Sequence, residues 1–439
     1  MKTICYSTLL LGMSLSLCPA ADPAGGPVEP AGKLVLTQAL ALAEARHPEL
    51  RAAQCGVQAA DGRATQAAAL PNPALGVEAE NFGGSGAERR FDAAEYTAQI
   101  EQTLELGGKR GHRRRVATAE WQLSGFDLDA ARLDIRAETS RRFVSVLGAQ
   151  ALAELAREAV ALAEAVAKTV DARVEAGKVS PMEQEKAQIL LAQKRIARAQ
   201  ALQVLATARV QLAAQWGSTR PAFEDASGDL PALPSVPPLP VLLARLPGNP
   251  DVARWAGELA RAQAVLSQEQ TARVPDLTVA AGVRRANETD SYTLVAGVSV
   301  PLPLFDRKQG SIREAESLLA RAQQLQRAAE IRAAADLATA HQLLAAATNR
   351  VMALRTDVLP RIKAVFDIAQ SGYAQGKFTY LDVLDAQNTL VESQAEYISA
   401  LVAVHSGAVD LERIVGGPAA ADDVPAREPA APPSGEAAK

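Results

Sequence analysis

Two aspartates, Asp382 and Asp385, stand three residues apart in the stretch YLDVLDAQNTL (380–390). They follow the turn sequence AQGKFT, where Gly376 can reverse the chain tightly, and they open a long run of apolar residues at helical spacing. Carboxylates three apart share one side of a helix. Near a helix start they suit the positive end of its dipole, which is the plain account of them. Gathered in several copies they would repel one another, raise each other's pKa and attract cations, which is the chemistry of an acidic pore ring.

The other chemistry-bearing residues exclude more than they suggest. GGKR (107–110) lacks the spaced upstream glycine and the Ser/Thr after lysine that a phosphate loop requires, so it is expected to be a flexible strand-to-helix joint. The basic run KRGHRRR (109–115) is local in a chain of net charge −4, and no nucleic-acid partner is expected. Arg113, Arg114 and Arg115 should solvate their helix or meet lipid headgroups. His47, His112, His341 and His405 are scattered and form no ligand pair with Cys, Asp or Glu, so neither a metal site nor another cofactor is expected. No nucleophile–base constellation stands out, which argues against an enzyme.

These residues sit in a chain of unusual composition. Of its 439 residues 4% are aromatic and 22% charged, and alanine, glutamate, arginine, leucine and glutamine dominate long stretches. That composition predicts extended helices or coiled coil. The first 20 residues, MKTICYSTLLLGMSLSLCPA, read as an export leader: Lys2 is the charged start, and 8–17 form an apolar core too short to span a membrane. Cleavage after Ala20 is expected. The alternative is acylation at Cys18, for which Leu17 is a poor preceding residue. Removing the leader takes Cys5 and Cys18 away and leaves Cys55, so no disulfide is expected within the mature chain. No later run of 18 apolar residues occurs, which leaves an exported soluble protein or a β-barrel.

The chain also says things twice. HPEL (47–50) pairs with NPDV (249–252), LPNPALGVEAE (70–80) with RVPDLTVAAGV (273–283), and EAGKVSPMEQEKAQ (175–188) with AQGKFTYLDVLDAQ (374–387). A period near 200 is too long for a solenoid unit and marks an internal duplication. The expected divisions are an N-terminal tail over 21–33, a first repeat over 34–217, a Pro-rich linker over 218–248, a second repeat over 249–416 and a disordered tail over 417–439. Each repeat should run helix, two strands, very long helix, glycine turn, medium helix. The long helices are expected over 110–175 and 308–374, the shorter ones over 34–68, 180–215, 249–273 and 379–415. Gly177 and Gly376 make the turns. At the first turn Glu183 and Lys186 stand where the second has Asp382 and Asp385, so one repeat alone supplies the acid pair.

Strand alternation is clear. Leu75, Val77 and Ala79 oppose Glu78 and Glu80; Tyr96, Ala98, Ile100 and Leu104 oppose Thr97, Gln99, Glu101 and Thr103. Leu277, Val279, Ala281 and Val283 share a face, as do Tyr292, Leu294, Ala296, Val298, Val300 and Leu302. Strands of this length cross a bilayer when tilted, and Glu78, Glu80 and Glu101 would then face the lumen. Soluble amphipathic hairpins are the alternative. Heptad seams are expected at Leu152, Leu155, Ala159, Leu162, Val166 and Thr169, at Leu381, Leu384, Asn388, Val391, Ala395, Ile398 and Val402, and at Ile189, Ala192, Ile196, Ala199, Gln203, Ala206, Val210 and Ala213. A long helix of about 66 residues reaches roughly 100 Å, twice the shorter ones, so these should stack end to end beside it. Four strands cannot close a barrel, whereas three copies bring twelve, within the range of outer-membrane barrels.

At this point the chain resembles the TolC family of outer-membrane efflux channels over essentially all of its mature length. SVPLPLFDRKQG (299–310) and GKFTYLDVLDAQNTL (376–390) carry the resemblance in the second repeat, PNPALGVEAEN (71–81) and EQTLELGGKR (101–110) in the first. The last two are similar to the CzcC-like, cobalt-zinc-cadmium branch. The resemblance implies a mainly α fold with a small β part: a homotrimeric channel-tunnel in which a coiled-coil helical barrel continues a 12-stranded β-barrel in the outer membrane. It implies a passive exit duct docked by its helical tips, around Gly177 and Gly376, onto a periplasmic adaptor and an inner-membrane pump of the resistance-nodulation-division class. It also implies that Asp382 and Asp385 line the narrow periplasmic aperture. A drug or type I secretion duct of the same fold, or a soluble periplasmic coiled-coil adaptor, are the alternatives.

Overall fold

The structure is a computed structural model that describes residues 27–86 and 91–418. The leader, its alternatives at Ala20 and Cys18, part of the glycine-rich loop after the first long strand and nearly all of the C-terminal tail lie outside the described residues. In chain order the elements are β1 (Lys33–Val35), α1 (Leu36–Arg46), α2 (Pro48–Ala67), β2 (Ala74–Glu80), β3 (Glu95–Leu104), α3 (Lys109–Glu175), α4 (Pro181–Ala213), β4 (Asp225–Ser227), α5 (Leu239–Arg245), α6 (Pro250–Thr271), β5 (Leu277–Ala286), β6 (Ser291–Ser299), α7 (Gln309–Ala353), α8 (Leu359–Ala374) and α9 (Tyr380–Val415).

α3 is a single rod of 67 residues and the spine of the protomer. α4 packs along its tip-ward half and α2 along its sheet-ward half; α9 and α6 do the same on its other side, and α7 and α8 lie beyond them. The rods end where glycine lets them. Gly177 (φ 66°) and Gly376 (φ 78°) adopt the left-handed conformation. At each turn a lysine N–H closes back five residues, Lys178 to Arg173 O (2.9 Å) and Lys377 to Gly372 O (2.8 Å). Ser180 and Thr379 then cap the returning helices.

The helices differ from the expected ones where proline intervenes. The helix expected over 34–68 is broken at His47 (φ −60°, ψ 123°), because a residue before proline is pushed out of the helical region. Its first residues instead form β1, paired in parallel with β4 of the Pro-rich linker. The second long helix does run from Gln309 to Ala374, but through a π turn over Leu354–Val358. Pro360 has no N–H to close the regular ladder there. β6 stops at Ser299 rather than reaching Leu302, since Pro301 and Pro303 cannot extend a ladder. Cys5 and Cys18, whose removal with the leader would leave Cys55 as the cysteine of the mature chain, lie outside the described residues.

Two of the three heptad seams are displaced. In α3 Leu155, Ala159 and Val166 are buried as expected, though Thr169 is exposed. In α9 the most buried stripe is Tyr380, Val383, Gln387, Leu401, Val404, Leu411 and Val415, one position off the expected one. In α4 Leu190, Leu191, Leu205 and Leu212 face the protomer, and Ile189 and Ile196 remain 56% and 59% exposed. A heptad pattern reports an apolar face without saying which neighbour covers it.

The core lies at mid-height and at the tip. Phe143, Leu212, Trp216 and Phe223 pack at the equator with Leu34 of β1. Val144 of the first repeat packs there with Leu242 of the linker and Leu337, Leu344, Leu401 and Leu411 of the second. Tyr373, Tyr380, Val170 and Val383 fill the tip. The long sheet has order β2-β3-β5-β6, antiparallel throughout. Its register stacks Leu75, Ile100, Ala281 and Ala296 in one row and Val77, Ala98, Val283 and Leu294 in the next. This apolar face is bare: Leu75 and Val77 are 75% exposed and Leu294 89%.

On the opposite face β5 crosses close over β3. A Cβ at Gly282 would come within 2.6 Å of Gln99 Cβ and into the Ala98 carbonyl, whereas at Gly297 the nearest atom is 3.8 Å away. Gly282→Val should therefore cost more than about 3 kcal/mol and Gly297→Val less than about 1 kcal/mol. Thermal melting of the two variants followed by circular dichroism in the β region checks the contrast.

Candidate functional site

The acid pair opens α9 at the tip, and its two members are held differently. Asp382 belongs to a capping box: its carboxylate accepts from the Thr379 N–H and hydroxyl (both 2.7 Å), and its own N–H donates to Thr379 Oγ1 (3.3 Å). The Thr379 hydroxyl, with the backbone N–H, holds the Asp382 carboxyl below the usual range. Asp385, one turn on, has no side-chain bond or ion pair among the described residues and points to the open side of the α8–α9 groove. Ile362, Val365, Ile368 and Phe378 line that groove. One aspartate is thus engaged in starting the helix, and the other is free to act on whatever passes or docks.

Beneath the pair the two tip turns are tied together. Arg173, at the end of α3, stacks on the Tyr373 ring (4.3 Å to its centre) and donates to the Tyr373 carbonyl. The Tyr373 hydroxyl donates to Glu183 of α4 (3.2 Å), and its ring meets Tyr380 edge-on at 6.2 Å. Burial, reinforced by the Glu183 charge, pushes the Tyr373 phenol up to about 12. Tyr380 is raised by the same two causes in the same order. The Phe378 ring lies over Gly372, where any side chain would collide with it. Sequence reasoning missed Arg173, Gly372 and Tyr373. The available signal was the first glycine of GYAQGKF, four residues before the turn glycine. Glu183, noted only as a departure from the acid pair, turns out to accept the tyrosine's hydrogen bond.

At the other end Glu78, Glu80 and Glu101 share the polar face of the sheet with Thr97, Gln99, Arg284 and Thr293. Glu80 stands directly opposite Glu95, a repulsive arrangement that Arg284 offsets. Arg284 donates to Glu95 (2.9 Å), Glu80 (3.3 Å) and Thr97 Oγ1 (3.0 Å). Glu101 accepts from Gln99 Nε2 (2.8 Å). The face carries four acids against one base. Glu95 and Arg284 were legible, since the parity that turns Val283 outward turns Arg284 inward.

Among the described residues no group of three His, Cys, Asp or Glu side chains is gathered to hold a metal ion, and no helix is long and apolar enough to cross a membrane.

Comparison with known proteins agrees with this architecture. The profile of the outer membrane efflux protein family matches residues 39–218 and 244–417. The cobalt-zinc-cadmium resistance protein CzcC of Cupriavidus metallidurans is 37% identical over 390 residues, covering 89% of this chain and 92% of that protein. The nickel and cobalt resistance protein CnrC of the same organism is 29% identical over 313 residues, covering 71% and 73%. Among solved structures, a membrane protein from Pseudomonas aeruginosa superposes with a TM-score of 0.75 at 21% identity, covering 87% of this chain and 90% of that one. The chain belongs to the outer membrane efflux protein family and is an outer-membrane efflux channel, not an enzyme.

Proposed function

We propose that three copies of this chain close into one tube that serves as the passive exit duct of a tripartite heavy-metal efflux system. The observation that carries the closure is the sheet: β3, β5 and β6 have bilayer-crossing length, one apolar face is bare, and both edges, β2 and β6, are unpaired among the described residues. The helices repeat the situation. α4 at one flank exposes Met182, Ile189 and Ile196; α7 and α8 at the other expose Ile331, Leu343, Val365 and Ile368. The first repeat thus supplies both elements of one flank and the second repeat both of the other, as a head-to-tail ring requires. Detergent-extracted protein should have the mass of three chains. Ile189→Asp with Ile196→Asp, at side chains that face away from their own protomer, should shift it to the mass of one, read by light scattering.

In such a tube Asp382 and Asp385 of three copies form a ring at the periplasmic mouth, with the turns at Gly177 and Gly376 facing the adaptor and pump. The barrel acids Glu78, Glu80 and Glu101 line its other end. A ring of carboxylates in a narrow opening favours cations. Asp382→Asn with Asp385→Ala should weaken cation preference and divalent block in planar-bilayer recordings; unchanged values would leave the pair as helix-start acids. The pH dependence has a definite sign. Because the Thr379 bonds depress Asp382, its charge, and the cap it completes, persist below the ordinary carboxylate range and are lost as pH falls through the depressed value. In an Asp385→Ala background the loss of cation preference should move to higher pH when Thr379→Val removes the hydroxyl.

The cargo is assigned from the relatives named for cobalt, zinc, cadmium and nickel and from the acidic character of both ends of the duct. Deleting the gene from its host should lower tolerance to cobalt, zinc and cadmium salts at least severalfold, measured as minimal inhibitory concentration. Unaltered metal tolerance together with sensitivity to organic compounds would replace the metal by a drug.

A further inference from the structure

The joints between sheet and helices carry a feature that conduction does not use. The run after β6, VPLPLF (300–305), is bare: Leu302 is 75% exposed, Leu304 62% and Phe305 90%. Val300 and Leu302 keep the parity of Leu294, Ala296 and Val298, so they carry the apolar face beyond its last ladder bond. Pro301 and Pro303 remove two N–H groups that an apolar medium would leave unpaired. At the neighbouring joints Leu70 (64%) and Leu106 (41%) are exposed as well.

Immediately behind this apolar rim stands a surplus of cations. The acids of the joints are already engaged within the chain: Glu105 with Arg113, Asp276 with Lys109 (2.7 Å) and Asp306 with Lys308 (3.1 Å). Arg114, Arg115 and Arg307 are exposed and, among the described residues, have no acid partner. Arg114 and Arg115 open onto a groove between α3 and α6 that also offers Thr118, Gln122 and Gln263 as hydrogen-bonding groups. An apolar wedge followed at once by unpaired guanidinium groups matches the order of layers in a phospholipid leaflet, acyl chain first and phosphate next.

We infer that this rim is an interfacial anchor for anionic phospholipid in the periplasm-facing leaflet: Leu302, Leu304 and Phe305 sit among acyl chains, and Arg114, Arg115 and Arg307 hold the headgroups. The anchor rests on the membrane placement of the sheet proposed above. It fixes the height of the tube, since the apolar face alone would tolerate sliding by a residue or two.

Two single-tryptophan additions separate the claims. In vesicles of brominated phosphatidylcholine and phosphatidylglycerol, Leu294→Trp reports the sheet and Phe305→Trp the rim. Quenching of both above the parent is expected. Quenching of Leu294→Trp alone overturns the anchor and spares the barrel, and quenching of neither overturns the barrel placement itself. A Phe305→Trp signal shielded from both brominated lipid and aqueous acrylamide means that a second copy covers the rim, which also overturns the anchor. For the headgroup, the parent should retain phosphatidylglycerol over phosphatidylcholine on extraction from mixed vesicles. Replacing Arg114, Arg115 and Arg307 by Gln should reduce that preference by about fivefold per cation removed. An unchanged ratio, or displacement of phosphatidylglycerol by equimolar inorganic phosphate, would show that no lipid headgroup is selected.

Discussion

Among the described residues the four-stranded sheet turns Leu75, Val77, Ile100, Val283 and Leu294 away from every helix, and it leaves a row of backbone groups unpaired along β2 and another along β6. Neither face nor edge can be satisfied in water by one copy. An exposed edge invites further strands, and an apolar face of this size calls for a partner or a lipid phase. Closing the sheet on itself through further copies removes both liabilities, and in hydrocarbon only closed barrels and helices keep their backbone groups paired. The rest of the molecule is arranged around that need. α3, 67 residues and roughly 100 Å long, carries the consequence of closure from the membrane to the far tip without a break.

What holds one protomer together lies elsewhere, at the equator and the tip. At mid-height Arg413 pairs with Asp134 (2.5 Å) and Asp251 (2.8 Å), while the Asn249 amide donates to the carbonyls of Arg413 (2.9 Å) and Ile414 (2.7 Å). This joins the start of the second repeat to its end and to the spine. At the tip Arg173, Tyr373 and Glu183 join the two hairpins. Between equator and tip Lys194 of α4 donates to Asn388 of α9 (3.0 Å), Arg195 pairs with Glu164 (2.9 Å) and Arg350 with Glu396 (2.7 Å), so the tip is tied to the rest of the protomer by polar bonds as well as by helix packing. The duplicated halves have diverged to make the join at the tip: the first repeat supplies the charges, the second the aromatic ring.

Much of this was legible from residue order. Helix ends followed from Gly177 and Gly376, strand faces from two-residue alternation, and the need for several copies from strand number. The residues that escaped are those whose role depends on a distant segment. Tyr373 is an ordinary helical tyrosine until Arg173 and Glu183, some 200 positions earlier, are brought beside it. The α4 and α9 seams were misassigned because Ile189 and Leu381 are apolar yet exposed on their own protomer, and periodicity reports an apolar face without saying what covers it. β1 and β4 escaped because three-residue strands carry no pattern. Asp382 was found, yet its hydrogen bonds to Thr379 show that a helix-start acid and a candidate aperture acid can be the same side chain.

The π turn at Leu354–Val358 sets the rotational phase of the tip. Above it the buried residues Leu337, Leu344 and Val351 are spaced by sevens, and below it Phe366 and Tyr373 are again seven apart. From Val351 to Phe366 the count is one more than two sevens. The extra residue is absorbed in the wide turn, which lets the strand-side and tip-side halves keep separate heptad clocks on one continuous rod. Removing a single residue there would restore an unbroken α-helix and rotate everything below by about 100°. Tyr373 would then leave the core and lose its contacts with Arg173 of α3 and Glu183 of α4. Length in this segment is therefore a matter of angle: the chain can be altered by a residue in a loop at little cost, but at this turn one residue sets the direction in which the whole mouth of the duct faces.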